Sequence, residues 1–253
     1  MTAGSCSEKV WMEPKDRIIL ALDVDSLGAA EETVGMLKGH VGAFKIGFEL
    51  FVSEGPAVVR AVQRHGGRVF LDLKFHDIPN TVAKAVRAAV RMGAAFLDVH
   101  ASGGRAMMSA ASKAAEAEAL SYGGPAPVCL AVTVLTSLGE KDLRDDLGMD
   151  CTPLERVVSF ARMAKECGMG GVVASPMEVS GIRQAVGEGF VIVTPGVRPA
   201  WANKDDQKRV ATPAEAIKAG ADFLVIGRPI LKAKDPVEAA DMVAEEIRTV
   251  LCG

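Results

Sequence analysis

An acid, an amine and a second acid, spaced two and then three residues apart, carry the strongest chemical signal in this chain. They are Asp72, Lys74 and Asp77, within the run Arg-Val-Phe-Leu-Asp-Leu-Lys-Phe-His-Asp-Ile-Pro-Asn-Thr over 68–81. Residues 69–73 read as a buried β-strand. Side chains two apart on a strand share a face, so Asp72 and Lys74 point the same way, together with Phe70. A carboxylate beside an ammonium at a strand end is either a local ion pair or part of a site.

Other strand ends repeat the pattern. Asp23 closes an apolar run over 17–24 and shares a face with Ala21 and Ile19. Lys45 lies in a short strand over 43–47, and His100 ends a strand over 96–100. Buried charges cost several kcal/mol each unless paired. Charged side chains facing one another from three consecutive strands therefore point to a site. His100 fits a hydrogen-bonded interior histidine as well as it fits a substrate contact.

These residues need a frame, and the sequence describes one. Further strands are expected over 127–134, 171–175, 190–194 and 223–227, with helical spacing between strands, for example at Val82, Ala85, Val86, Ala89 and Val90. One helical segment with Pro56 near its start and Gly66-Gly67 at its close is expected after the second strand. Three later helices announce their starts alike: Thr152-Pro153-Leu154-Glu155, Thr212-Pro213-Ala214-Glu215 and Asp235-Pro236-Val237-Glu238. Each offers an N-cap oxygen, Pro at the first helical position and an acid near the helix's positive end. Strand and helix alternate about eight times, which argues for a parallel sheet with helical crossovers. Eight units in this length favour an α/β fold closed into a (β/α)8 TIM barrel, with an open doubly wound sheet as the alternative.

In a barrel, the loops after strands seven and eight commonly hold phosphate. Here they read Thr194-Pro195-Gly196-Val197-Arg198 and Ile226-Gly227-Arg228-Pro229. A glycine lets backbone N–H groups approach an anion, and an arginine can grip it bidentately. Two connections, 136–151 and 196–211, are longer than a strand-to-helix turn needs, and both fall on the C-terminal face. They are candidate lids.

The 253 residues, 49% of them hydrophobic, suffice for one sizeable core, and nothing marks a second domain. The expected organisation is a tail over 1–15 and one barrel domain over 16–253. A net charge of −3 gives no basic footprint for nucleic acid and no polybasic membrane signal. No apolar run approaches the roughly 18–20 residues needed to span a bilayer, and the N-terminus lacks the order of a signal peptide. Cys6, Cys129, Cys151, Cys167 and Cys252 are scattered and never form a C-x-x-C pair. They read as reduced thiols of a cytoplasmic protein.

Taken together, Lys45, the run from Asp72 to Thr81, Leu135-Thr136-Ser137, Thr194 to Arg198 and Ile226-Gly227-Arg228 resemble bacterial-type orotidine 5′-monophosphate decarboxylase. The resemblance extends from about Asp16 to the C-terminal helix. The D-x-K-x-x-D element alone is shared with 3-keto-L-gulonate 6-phosphate decarboxylases and hexulose-phosphate synthases. Those relatives use a metal and carry an acidic ligand where this chain has Lys45, which would repel a divalent cation. The resemblance thus implies conversion of orotidine 5′-monophosphate to UMP and CO2 without cofactor or metal. It makes Lys74 the general acid toward C6 and places Asp72 beside the departing carboxylate. Lys45 holds Asp72 and the ribose, which Asp23 also binds. Asp77 and Thr81 reach into a neighbouring subunit's site, implying a homodimer. Thr136 contacts the base, while Gln207, Gly227 and Arg228 take the phosphate, with Arg198 in the same region. Ile78 and Pro195 complete the substrate-binding set. A non-catalytic phosphosugar- or nucleotide-binding barrel is the competing reading; it explains Arg228 but leaves Lys74 without a purpose.

Overall fold

Eight parallel strands pair in sequence order and close on themselves. They are β1 (Ile18–Ala21), β2 (Ala43–Ile46), β3 (Val69–Phe75), β4 (Phe96–His100), β5 (Val128–Val132), β6 (Gly171–Val173), β7 (Val191–Pro195) and β8 (Phe223–Ile226). The computed structural model describes residues 13–202 and 211–251. The β8–β1 pairing, Ile18 to Leu224 through Leu20 to Ile226, decides for the barrel over the open sheet. Helices follow the strands: α1 (Leu27–Leu37), α2 (Phe48–Glu54), α3 (Pro56–Arg64), α4 (Pro79–Arg91), α5 (Gly104–Tyr122) and α6 (Glu140–Asp145). The rest are α7 (Pro153–Glu166), α8 (Val179–Val186), α9 (Pro213–Lys218), α10 (Arg228–Leu231) and α11 (Pro236–Leu251). Among the described residues, no helix is long and apolar enough to cross a membrane.

A parallel sheet covered on both faces needs apolar side chains on both, and the period-two alternation sorts them. Ile18, Leu20, Phe44, Ile46, Leu71, Leu97 and Val99 point outward under the helices. Ile19, Ala21, Ala43, Phe70, Phe96, Leu130, Val193, Phe223 and Val225 fill the interior. There Phe96 meets Phe70 edge-on at 6.1 Å between centroids and Phe223 at 5.1 Å. These rings plug the barrel, and truncating one such as Phe96 to Ala would cost about 3–5 kcal/mol. The plug is the floor on which the charged layer rests.

The helix starts behave as the capping signals predict. Thr152 Oγ1 accepts the Glu155 N–H at 3.3 Å, while Glu155 accepts the Thr152 N–H at 2.9 Å. Thr212 and Glu215 repeat this reciprocal pair, and Asp235 Oδ1 accepts from Val237 and Glu238, both at 3.0 Å. Two local features add to the expectation. The helix expected from Pro56 forms as α3, and a short helix, α2, precedes it, ended at Gly55, whose φ of 59° and ψ of −152° suit only glycine. The connection over 136–151 is not all loop, because it folds the short helix α6.

Candidate active site

Lys45 is the hub. It faces inward from the penultimate position of β2, and its Nζ lies 3.7 Å from Asp23 Oδ1 and 3.4 Å from Asp72 Oδ2. The other Asp72 oxygen, Oδ1, takes a hydrogen bond from Lys74 Nζ. The result is a chain of alternating charge, Asp23–Lys45–Asp72–Lys74, across the mouths of β1, β2 and β3. β1 itself stops at Ala21, so Asp23 stands two residues beyond the strand and is exposed, whereas the Asp72 side chain is 13% exposed. Burial by itself would raise the Asp72 carboxyl. The Lys45 charge, the neighbouring Asp98 carboxyl and the Lys74 ammonium outweigh it and hold the group below its usual range.

The Asp72–Lys74 pairing is not a product of strand alternation alone. β3 slips against β4 between Leu71 and Phe75, and Lys74 takes a φ of 43°, the sole positive value at a non-glycine position among the described residues. Such a backbone costs an ordinary residue of order 1–3 kcal/mol and persists only when its surroundings hold it. The support is visible: the Lys74 N–H donates to Asp98 Oδ1 at 2.7 Å.

Around this array the barrel mouth opens into joined cavities. One of about 200 Å3 is lined by Lys45, Phe70, Asp72, Lys74, Val132, Leu135, Thr136, Pro195 and Val225. It has apolar walls and a charged edge, the character of a slot for a flat ring with one reactive position. A second, about 220 Å3, shares Lys45, Pro195 and Val225 and adds Asp23, Gly196, Arg198, Gly227 and Arg228. A Cβ at Gly227 would lie 2.9 Å from Asp23 Oδ2 and 3.2 Å from Ala21 Cβ, so glycine leaves the most room here. Farther out, Arg198, Trp201, Arg228 and Lys232 line a third cavity. Three cations at the β7 and β8 mouths make an anion cup, reached from the ring slot past Lys45. Arg198 is anchored through its own N–H, which donates to Ala211 O at 2.9 Å. That bond and the Val197–Ala211 bridge clasp the two ends of the 196–211 connection.

The fold therefore gathers Asp23, Lys45, Asp72, Lys74, Thr136, Pro195, Arg198, Gly227 and Arg228. It does not bring Asp77, Ile78 or Thr81 to the same cavities. These three are exposed at the start of α4, Ile78 at 67%, and the Asp77 carboxylate accepts the adjacent Ile78 N–H at 2.6 Å. Gln207 lies outside the described residues. The His100 ring lies 5.4 Å from that of His76 between centroids, tilted by 39°, and lines none of these cavities. Asp98 and Lys232 went unnoticed in the sequence. Asp98 could have been found by the period-two rule, since it shares a face with Phe96 and His100. Among the described residues, no group of three His, Cys, Asp or Glu side chains could hold a metal ion.

Comparison with known proteins agrees with this geometry. Residues 16–243 match the model of the Orotidine 5'-phosphate decarboxylase / HUMPS family. The chain is 55% identical over 243 residues to the orotidine 5'-phosphate decarboxylase of Moorella thermoacetica, covering 96% of each. It is 52% identical to that of Syntrophomonas wolfei, covering 93% of this chain and 99% of the relative. Among solved structures, the orotidine 5'-phosphate decarboxylase of Lactobacillus acidophilus superposes with a TM-score of 0.80 at 37% identity, over 91% of this chain and 98% of that one. With the closed barrel, the charge chain and the anion cup already in place, these matches mean that the chain belongs to the orotidine 5'-phosphate decarboxylase / HUMPS family.

Proposed function

We infer that this protein decarboxylates orotidine 5′-monophosphate to UMP and CO2, a step of pyrimidine nucleotide synthesis, and we propose how its side chains do so. The observation that carries the residue assignments is Lys45 between two carboxylates, with Lys74 on the far oxygen of Asp72, in a slot continuous with the Arg198–Arg228 cup. The pyrimidine fits the apolar slot with C6 toward Lys74, Thr136 faces the base, and Asp23 and Lys45 meet the ribose hydroxyls. The phosphate enters the cup, where Arg228 and Arg198 supply charge and Gly227 leaves room.

The C6–carboxylate bond breaks with its electron pair left on C6, and CO2 departs. No ring carbonyl is conjugated to that pair, so fixed charge must stabilise it, and the nearest positive charge is the Lys74 ammonium. One Lys74 N–H proton then goes to C6, completing UMP, and solvent later restores the amine's proton. Asp72, held ionised by its two lysines, disfavours the ground-state carboxylate beside it and orients Lys74. Lys45 at the position of an acidic metal ligand in other branches supports a reaction that needs no divalent cation. Asp77, Ile78 and Thr81, exposed away from their own chain's cavities, suit a homodimer in which they complete the site of a second copy. The test is loss of the substrate's ultraviolet absorbance on adding pure protein with EDTA present. Binding without turnover would instead fit a phosphosugar-binding barrel, and turnover only with magnesium would fit the metal-using branch.

A further inference from the structure

Beneath the charge chain sits a carboxyl that the reaction just described does not use. Asp98 projects inward from the middle of β4, one layer above the Phe96 ring, and is 1% exposed. Its Oδ1 accepts the Lys74 N–H. Its Oδ2 is fully buried and meets no donor among the described residues. A buried carboxylate oxygen without a donor is costly, and more so when charged. The group beside it makes matters worse: Leu71 of β3 pairs Leu97 of β4, so the residues that follow them, Asp72 and Asp98, are neighbours, and both are carboxyls. Two ionised carboxylates cannot bond one another. A single proton on Asp98 removes both problems, turning the stranded oxygen into a donor toward Asp72.

We propose that Asp98 is a positioning residue for the decarboxylation, a neutral carboxylic acid that accepts the Lys74 N–H and donates its own proton to the Asp72 carboxylate. One side chain thereby ties together both members of the reactive pair. It steadies the left-handed backbone that aims Lys74, and it fixes Asp72 between its two lysines. The surroundings agree on which carboxyl keeps the proton. Burial, then the Asp72 charge and hydrogen bond, push Asp98 well above the usual carboxylate range, with Lys74 offsetting only part. Asp72, with Lys45 and Lys74 on its two oxygens, stays ionised. The arrangement resembles a carboxylate dyad sharing one proton, made unequal by where the lysines stand.

This rests on the decarboxylase reading, so its test includes a measurement that needs no substrate. Asparagine presents a neutral acceptor and a donor in the same shape, so Asp98→Asn should keep kcat within about threefold, while Asp98→Ala leaves Lys74 and Asp72 loosely held. Small misplacements of reacting groups cost up to about a hundredfold, so Asp98→Ala should lower kcat by about tenfold to a hundredfold. KM should move much less, because the anion cup lies on β7 and β8. In the infrared spectrum of the substrate-free protein, the carbonyl stretch of a protonated carboxyl should be present in the parent protein and missing in Asp98→Asn. The proposal is overturned by the absence of that band, by Asp98→Asn falling as far as Asp98→Ala, or by Asp98→Ala raising KM with kcat unchanged. If Asp98→Ala does not fold, the Asp98→Asn kinetics and spectrum decide alone. Failure of the parent protein to turn over orotidine 5′-monophosphate would instead remove the decarboxylase reading and leave the infrared result standing.

Discussion

If Asp98 folds as a neutral acid, the protein's stability must depend on pH in a direction that can be worked out beforehand. In the unfolded chain Asp98 ionises near pH 3.9; in the folded chain it holds its proton to well above that. Above about pH 4 the unfolded state therefore binds one proton fewer at this residue, so the Asp98 contribution falls as pH rises. One proton of difference gives a slope of about 1.4 kcal/mol per pH unit, continuing until pH reaches the folded pKa. Asp72 acts in the opposite sense. Its folded pKa is depressed, so its contribution is present above the ordinary carboxylate range and lost as pH falls through the folded value. Asp98→Asn keeps Asp72 and its lysines but removes the titrating group, so the Asp72 effect largely cancels between the two proteins. Above the unfolded value, their stability difference should then move in favour of the variant by about 1.4 kcal/mol per pH unit until the folded pKa is reached. For a chain of this size that is roughly 3–6 °C in Tm. Urea melts or calorimetry at several pH values in this window measure it. A difference that stays flat would mean that Asp98 is ionised in the fold, and the reasoning about its stranded oxygen would be wrong.

Exhaustive chelation should leave turnover unchanged, because Lys45 occupies the place of an acidic ligand; activity lost and restored by magnesium would refute this. Arg228→Ala removes a charged hydrogen bond worth about 1.5–3 kcal/mol, so kcat/KM for the phosphorylated substrate should fall about tenfold to a hundredfold. With orotidine lacking the phosphate the same variant should change almost nothing, and equal harm to both substrates would remove the phosphate assignment. An Asp77→Ala chain mixed with a Lys74→Ala chain should regain activity, since one site of the mixed dimer keeps both residues; no recovery after verified subunit exchange would count against a shared site. Thr152→Ala should cost about 1 kcal/mol of stability through the lost cap of α7 with kcat unaffected, as read from melting curves and initial rates.

The frame was legible because each strand repeats a simple rule at short range. Alternation alone placed Asp23, Lys45 and Asp72 on inward faces, and the capping residues placed the starts of α7, α9 and α11. The loops after β7 and β8 were legible as turns because Gly196 and Gly227 directly follow apolar strands. What escaped has physical reasons. Nothing about a lysine announces a left-handed backbone, because the conformation is imposed by the slip of β3 on β4 and by a bond from another strand. Asp98, flanked by Leu97 and Val99, sits within an otherwise apolar stretch, and a neutral acid is legible only when its neighbours in space are known. The break at Gly55-Pro56 was written in the sequence, since glycine before proline ends one helix and starts another. The exposure of Asp77, Ile78 and Thr81 required the fold, because the D-x-K-x-x-D spacing does not say on which side of β3 the last acid falls.

The neutral acid also suits the charges around it. Within one chain, Lys45 and Lys74 balance Asp23 and Asp72, so with Asp98 protonated these groups carry no net charge before substrate arrives. The substrate brings a carboxylate to the edge of that layer, next to Asp72, and a phosphate to the cup. If Asp98 were also ionised, the slot would hold an excess negative charge buried against an apolar plug, where screening by water is weakest. Part of the lysines' charge would then be used in holding Asp98, and less would face the carboxylate and the electron pair forming at C6. With its proton in place, Asp98 draws little on the lysines and still bonds both Lys74 and Asp72. A hydrogen bond can position the reactive pair without competing for its charge, and a second carboxylate could not.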